Sequence, residues 1–291
     1  MTTVAEARSG KTSRDENFPV ASRLISARFR GPILAFYRFA RAADDVADHA
    51  ELAPDEKVRL LDRLGEALCG GPPEPDAEPL RLALRERGLS PKHALDLLDA
   101  FRLDARKARY GNWDELVDYC RLSAMPVGRF VLDVHEQSRG LWPASDDLCV
   151  ALQVNNHLQD CAADFRRLDR VYLPLDVLAA HGASVEMLRA PRAAPALRAA
   201  IVDLAESCEA LARGSAALVS GIADARLALE IGAVRSLALR IARLLQRRDP
   251  LSERVHLSKF EFILAAIPGI AQALPRAALR AVGGEGKAAR A

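Results

Sequence analysis

The sequence predicts an all-α protein, and three observations carry that prediction. Ala, Leu and Arg dominate the composition, which suits helices. Apolar residues recur at helical spacing, as in DLLDAFRLD at 96–104. No alternating strand pattern is convincing, and no repeat of fixed period is present. With 291 residues, half of them hydrophobic, the chain can bury a sizeable core in one domain of many long helices.

Residues 1–15 read as a disordered N-terminus, ahead of a helical domain over 16–278. Helices are expected over 31–49 and 54–68, and GGPPEP at 70–75 then breaks the chain into a loop. The next helix, 91–108, has Ser90 as N-cap and Pro91 at its first position. The helix at 113–138 carries Pro126, which predicts a kink with freed backbone groups. A helix at 145–164 follows, then a short one in PLDVLAAHGA (174–183) ended by Gly182. Helices at 195–220, 222–247 and 253–276 complete the domain, and 279–291 reads as a disordered tail.

The net charge is +2, from 41 basic and 39 acidic residues, so no global field calls for nucleic acid. Five dispersed cysteines without CxxC spacing predict reduced thiols in a cytoplasmic protein, not a disulfide frame or a zinc site. The N-terminal segment contains Lys11, Arg14, Asp15 and Glu16 and lacks a signal-peptide core. The apolar run Phe262 to Leu274, interrupted by Pro268, is too short to span a bilayer. It reads first as a buried core helix and second as a contact with the inner face of the membrane.

Two pairs of aspartates carry the chemistry. Asp44 with Asp48, and Asp160 with Asp164, are each spaced i, i+4 and so share a helix face. Such pairs also occur at Asp62/Glu66 and Asp114/Asp118, and an exposed like-charge pair costs only about 0.2–0.5 kcal/mol. Context separates the first two. Tyr37 and Arg41 precede Asp44 on or near its face, and Arg41 can bridge the acids or grip a phosphate. Asp160 follows Gln153, Asn155, Asn156, His157 and Gln159, amides and imidazole that need partners inside a core helix. Asn156 lies one turn before Asp160, placed to ligate a metal or to hydrogen-bond a phosphate. Asp45, about 100° round the helix from Asp44, is expected to pair within the N-terminal helices and not to ligate metal. If the two helices face each other with carboxylates ~6 Å apart, each cross pair repels by roughly 3 kcal/mol at an effective dielectric of ~20. Hard divalent cations answer that repulsion, and Mg2+ combines one or two carboxylates with substrate phosphates. The expected site binds a diphosphate through Mg2+.

The motifs resemble those of the squalene/phytoene synthase family, over roughly residues 16–275. One is Tyr37, Arg41, Asp44, Asp45 and Asp48; the other is Gln153, Asn156, Asp160, Asp164, Arg170, Tyr172, Leu173 and Pro174. They stand in the family's order, about 116 residues apart. The resemblance implies a single-domain isoprenoid (terpenoid) synthase fold around a central cavity. It implies Mg2+ on Asp44, Asp48, Asp160 and Asp164, assisted by Asn156, and an isoprenoid diphosphate as substrate. Ser22, Arg23, Arg41, Asn156, Arg170 and Tyr172 are the implied diphosphate-binding residues, with Tyr37 beside the catalytic acids.

The segments ENFPVAS (16–22), PVGR (126–129), NHLQD (156–160) and DRVYLP (169–174) are similar to the bacterial hopanoid-pathway subgroup, the hydroxysqualene synthases. That resemblance implies a carbon–oxygen lyase that converts presqualene diphosphate and water to hydroxysqualene and diphosphate. It also implies coupling to a presqualene diphosphate synthase and a hydroxysqualene reductase. Two departures from the wider family stand out: Leu122 and Met125 replace a Tyr and a Gly of its middle helix, and Arg170 follows Asp164 by six residues where many members have five. Phe36, Met125, Val127, Val131 and Leu158 are candidate cavity residues, with ordinary core as the alternative. His157 and Tyr119 are candidates for positioning water. GGEGK at 283–287 matches neither a dinucleotide loop nor a P-loop. Two other readings stand beside this one. The chain could condense two prenyl diphosphates to presqualene diphosphate, dehydrosqualene or phytoene, or it could be a non-catalytic protein of the same fold.

Overall fold

The structure, a computed structural model, describes residue 4, residues 25–258, residue 261, residues 263–271 and residue 273. Among these residues the fold is all-α. Its helices are α1 (Ala27–Asp48), α2 (Pro54–Leu68), α3 (Glu78–Arg87), α4 (Lys92–Asp104), α5 (Trp113–Ser123) and α6 (Met125–Val134). They continue with α7 (Trp142–Leu168), α8 (Leu175–Ala180), α9 (Pro195–Gly214), α10 (Ala216–Gly221) and α11 (Ala225–Leu245). Residues 263–271 are helical again.

The core has two hydrophobic clusters. The smaller joins α1–α4 to Phe130 and Val134 of α6, and the larger joins α5–α11. In α2, Leu60, Leu61 and Leu64 are fully buried. Each such side chain contributes about 1.5–3 kcal/mol relative to exposure. Phe36 of α1 stacks on Phe130 of α6, with ring centroids 4.0 Å apart. α7 is the central element: it packs against α6, α9 and α11.

Several expected elements need correction. α3 was not anticipated, although it carries Pro79 in its first turn and ends at Gly88 in the left-handed region (φ 62). Those are ordinary start and stop signals. The expected 113–138 helix is two helices: its backbone breaks at Ala124 (φ −125, ψ −49), and Pro126 opens α6 instead of kinking one helix. The expected 195–220 helix also divides, at Ser215. There Arg235 of α11 donates from Nε to the Ala212 carbonyl (2.8 Å) and from Nη2 to the Arg213 carbonyl (3.1 Å), capping α9 from outside. Pro91 is the N-cap of α4 and not its first helical residue, and the Ser90 hydroxyl accepts from the Lys92 N–H at 3.2 Å. Gly182 does end α8: at φ 69 it lets the Ala183 N–H reach the Leu178 carbonyl at 2.8 Å.

The apolar segment at 262–274 is not a wholly buried core helix. Ala266, Gly269 and Ala273 are buried, whereas Ile263, Leu264 and Ile267 are at least half exposed. No described helix is long and apolar enough to cross a membrane. The N-terminal and tail expectations, and GGEGK, lie outside the described residues.

Candidate active site

Both acid pairs lie in the C-terminal halves of their helices, Asp44/Asp48 on α1 and Asp160/Asp164 on α7. The structure brings them into one electrostatic neighbourhood, with Asp48 at its centre. Asp44 is pushed up to about 7, first by its crowded surroundings and then by Asp48, against the opposing pull of Arg41. Asp164 is also pushed up to about 7, by burial, then Asp160, then Asp48 on the other helix. The Asp44 side chain keeps 35% of its surface accessible, so it lies in a concave, wetted recess and not in the core proper. All four acids are half-buried.

Arg41 forks between neighbours on its own helix, 2.8 Å from Asp44 and 2.6 Å from the buried Asp45. Asp45 therefore pairs within α1, as expected. Arg170 is buried and already engaged. Its Nη1 donates to Asp48 Oδ1 at 2.6 Å, its Nη2 to the Ala47 carbonyl at 2.9 Å, and its Nε to the Asp104 carbonyl at 3.1 Å. Lys57 donates to the same Ala47 carbonyl at 2.8 Å. Two cations thus meet the carbonyl end of α1, where the helix dipole favours positive charge.

Arg170 reaches α1 because of how α7 ends. Asp169 adopts a left-handed conformation (φ 52), and the chain reverses. Val171 then pairs in parallel with Arg109, its N–H donating to the Ala108 carbonyl at 2.9 Å. Arg109 Nη2 fixes the turn through Asp169 Oδ1 at 2.6 Å. In this arrangement Tyr172 is engaged by Asp104, which shares the electrostatic neighbourhood of Asp44 and Asp48. Its hydroxyl donates to Asp104 Oδ1 at 2.9 Å, while Tyr119 donates to Oδ2 at 2.8 Å. Asp104, which sequence reasoning did not single out, is pushed up to about 6 by burial, against Arg170 and the two tyrosines.

The polar residues of α7 divide by face. Asn155 donates to the Ala238 carbonyl (3.0 Å) and Gln159 to the Val255 carbonyl (3.0 Å), tying α7 to α11 and to the chain beyond it. The second tie sets His256 Nε2 3.5 Å from Asp160 Oδ1, another neighbour that spacing gave no hint of. His157 is buried, stacked on Tyr172 with centroids 3.6 Å apart, and contacts Gln153 at 3.2 Å. Burial first, and Arg170 second, hold its imidazole down at about 3, so it is neutral. Asn156 is half-buried on the Asp160 face. Ser22 and Arg23 lie outside the described residues.

An apolar cavity of about 270 Å³ begins beside Tyr37, two turns from Asp44. α1, α6, α7, α10 and α11 supply its wall. Phe36, Val127 and Val131 line it; Met125 and Leu158 are buried in the core instead. Gly128 allows α6 to approach α7 closely, because a Cβ there would collide with Ser145 Oγ and stand 2.6 Å from Cys149 Sγ. The same two helices therefore line a greasy chamber with their earlier turns and carry carboxylates on their later ones. Among the described residues, no three acidic, His or Cys side chains form a closed metal cage. An open array of four acids, two of them shifted upward by burial first and by neighbouring acids second, is the kind of donor set that a cation keeping its waters and sharing its shell with phosphate would take.

A family model for squalene/phytoene synthase matches residues 11–261. The chain belongs to that family. It is 54% identical over 277 residues to the hydroxysqualene synthase of Rhodopseudomonas palustris, covering 95% of each chain. It is 48% identical to the hydroxysqualene synthase of Zymomonas mobilis, over 87% of this chain and 86% of that one. Identity to the phytoene synthase of Thermus thermophilus is 30%, over 84% of each. Among solved structures, a squalene synthase from Alicyclobacillus acidocaldarius superposes with a TM-score of 0.71 at 33% identity, covering 78% of this chain and 87% of that one. A dehydrosqualene synthase shares the fold, with a TM-score of 0.78 at 21% identity over 91% and 94% of the two chains. The chain is thus an all-α member of this family whose two motifs meet at Asp48.

Proposed function

We propose that the protein is a hydroxysqualene synthase, converting presqualene diphosphate and water to hydroxysqualene and diphosphate. The observation that carries this reading is the shared use of α1 and α7, acids at one end and apolar chamber at the other. The relatives named hydroxysqualene synthase support the choice of reaction within the family. Asp44, Asp48, Asp160 and Asp164 would hold Mg2+, with Asn156 beside Asp160. When bound, Mg2+ supplies positive charge against the departing diphosphate. Arg41 and the Arg170–Asp48 pair set the positions of the first acids. The chamber wall then excludes bulk water while the cyclopropylcarbinyl cation rearranges. Bond cleavage is an elimination of diphosphate, which makes the enzyme a carbon–oxygen lyase. The exposed Ile263, Leu264 and Ile267 are where we place contact with a membrane surface carrying so apolar a substrate.

The test is a product assay. Purified protein with Mg2+ is given presqualene, farnesyl or geranylgeranyl diphosphate separately, without NADPH, and extracts are read by mass spectrometry. Hydroxysqualene from presqualene diphosphate, absent with EDTA and with Asp160→Ala, is the expected result. Condensation products from the simple prenyl diphosphates would instead make this a first-step synthase.

A further inference from the structure

Both acid-bearing helices turn their carbonyl ends to the site, since the two acid pairs lie in the C-terminal halves of α1 and α7. That is the opposite of the helix N-termini that bind phosphate through free N–H groups. A diphosphate held here must therefore be met by side-chain cations as well as by metal. Three nearby cations are already committed. Arg170, with 9% of its side chain accessible, spends Nε, Nη1 and Nη2 on the Asp104 carbonyl, Asp48 Oδ1 and the Ala47 carbonyl. Arg41 is forked between Asp44 and Asp45, and Lys57 is bound to the Ala47 carbonyl. Arg167 differs. It lies three residues after Asp164 and seven after Asp160, on the face of α7 that carries both acids. Its Nη2 stands 3.6 Å from Asp48 Oδ2, too long for a hydrogen bond, and 58% of its side chain is accessible. It thus reaches across from α7 to the acid pair of α1, and its charge also acts on Asp164. An exposed ion pair of that length is weakly held.

We infer that Arg167 is the guanidinium that grips the diphosphate, and that Arg170, which the motif implies for that task, belongs to the scaffold; this rests on the diphosphate reading above. As the diphosphate enters between the acid pairs, Arg167 lets go of Asp48 and donates its planar pair of Nη groups to phosphate oxygens. Asp48 keeps Arg170 on Oδ1, and its Oδ2 is left for the metal. The exchange favours the bound state, because a loose exposed ion pair is traded for a charged fork on phosphate. As the carbon–oxygen bond breaks, negative charge grows on the diphosphate oxygens, so the same contact strengthens in the transition state. Arg166 is exposed too, but it lies about 100° round the helix from Arg167 and off the acid face.

The experiment is calorimetry with inorganic pyrophosphate and Mg2+ on the full chain, for the wild type, Arg167→Gln, Arg167→Lys and Arg166→Gln. Loss of a charged fork predicts a Kd weakened by about tenfold to a hundredfold in Arg167→Gln. Arg167→Lys, which keeps the charge but not the fork, should recover part of that loss. Arg166→Gln removes the same charge from the neighbouring face and should stay close to the wild type. Tm should be unchanged in Arg167→Gln, which separates a lost contact from a damaged fold. An unchanged Kd in Arg167→Gln overturns the proposal, and so does equal weakening in Arg166→Gln, which would show a diffuse field in place of a grip. A wild type that takes up no pyrophosphate with Mg2+ overturns the diphosphate reading itself. Absence of hydroxysqualene from the product assay overturns the reaction assigned above, while the calorimetric comparison still decides Arg167, so the failures are distinguishable.

Discussion

The two acid pairs share a spacing and differ in their surroundings. On α1, Asp44 meets Arg41 at 2.8 Å and Asp48 meets Arg170 at 2.6 Å. On α7, Asp160 has His256 at 3.5 Å, and Asp164 makes no ion pair among the described residues. The α1 pair is built into the scaffold: Arg170 joins Asp48 to the carbonyl end of α1 and to Asp104. The α7 pair stands on a helix fixed by other residues, Asn155 and Gln159. Identical spacing thus serves two arrangements, one in which the acids also hold the fold and one in which other residues of the helix hold it.

That difference can be broken by matched substitutions. Asp164→Asn should lower turnover by about a thousandfold, the scale of losing one group that organises charge at the leaving group. It should not lower Tm, because the variant removes an acid that burial and its neighbours already disfavour as an anion. Asp48→Asn should lose comparable activity and also melt at lower temperature, since Arg170 loses its carboxylate. Paired measurements of kcat and Tm check this, and equal effects on Tm would erase the distinction drawn between the helices. Next in size is Arg170→Ala, which leaves Asp48 without its partner and the Ala47 and Asp104 carbonyls without their guanidinium. A loss of about 3 kcal/mol in urea unfolding is expected, the range for breaking a largely buried pair from one side. Asp104→Asn should cost less, about 1–2 kcal/mol, because an amide can still accept from Tyr119 or Tyr172 but not serve both equally.

How much of this was legible depends on where the cause lies. The helix class, the course of α1 and α7, and the pairing of acids on one face follow from local periodicity, and the sequence held them. α3 was legible too: Pro79 and Gly88 bracket it, but the preceding GGPPEP drew attention to the loop instead. The end of α9 was not legible, because the groups that cap it belong to Arg235, more than twenty residues away. Asp104 was hidden for the same reason. Nothing in 96–104 marks its last acid as the acceptor for Tyr119 and Tyr172, fifteen and sixty-eight residues further on. Arg170 and Tyr172 were found by motif, yet their observed partners depend on a left-handed Asp169 and on pairing with 108–111, which no spacing rule conveys.

The smallest predicted effect sharpens the comparison through pH. Asp44 and Asp164 have folded values of about 7 against 3.8 unfolded, and Asp104 about 6. Raised acids contribute stability that is complete below about 4 and lost as pH rises through 6 to 7. His157 works the other way: held at about 3 against 6.5, it contributes stability that is lost as pH falls from 6.5 toward 3. Between pH 6 and 8 the loss from the acids outweighs a smaller gain from His157, whose unfolded value of 6.5 lies inside the window, so metal-free protein should weaken across it. Because the Asp44 side chain is 35% accessible, solvent screening reduces its share, leaving a fall on the order of 1 kcal/mol. Urea midpoints in EDTA at pH 6, 7 and 8 measure it. Asp164→Asn should flatten the slope, whereas Glu66→Gln, a change in an exposed acid pair with no such neighbours, should leave it intact. Added Mg2+ should raise the midpoint more at pH 8 than at pH 6, since the acids proposed to hold it must first lose their protons. A midpoint that rises with pH in EDTA would show that Asp44 and Asp164 are not held protonated by burial and neighbouring acids, and with it the electrostatic case for a shared cation would fail.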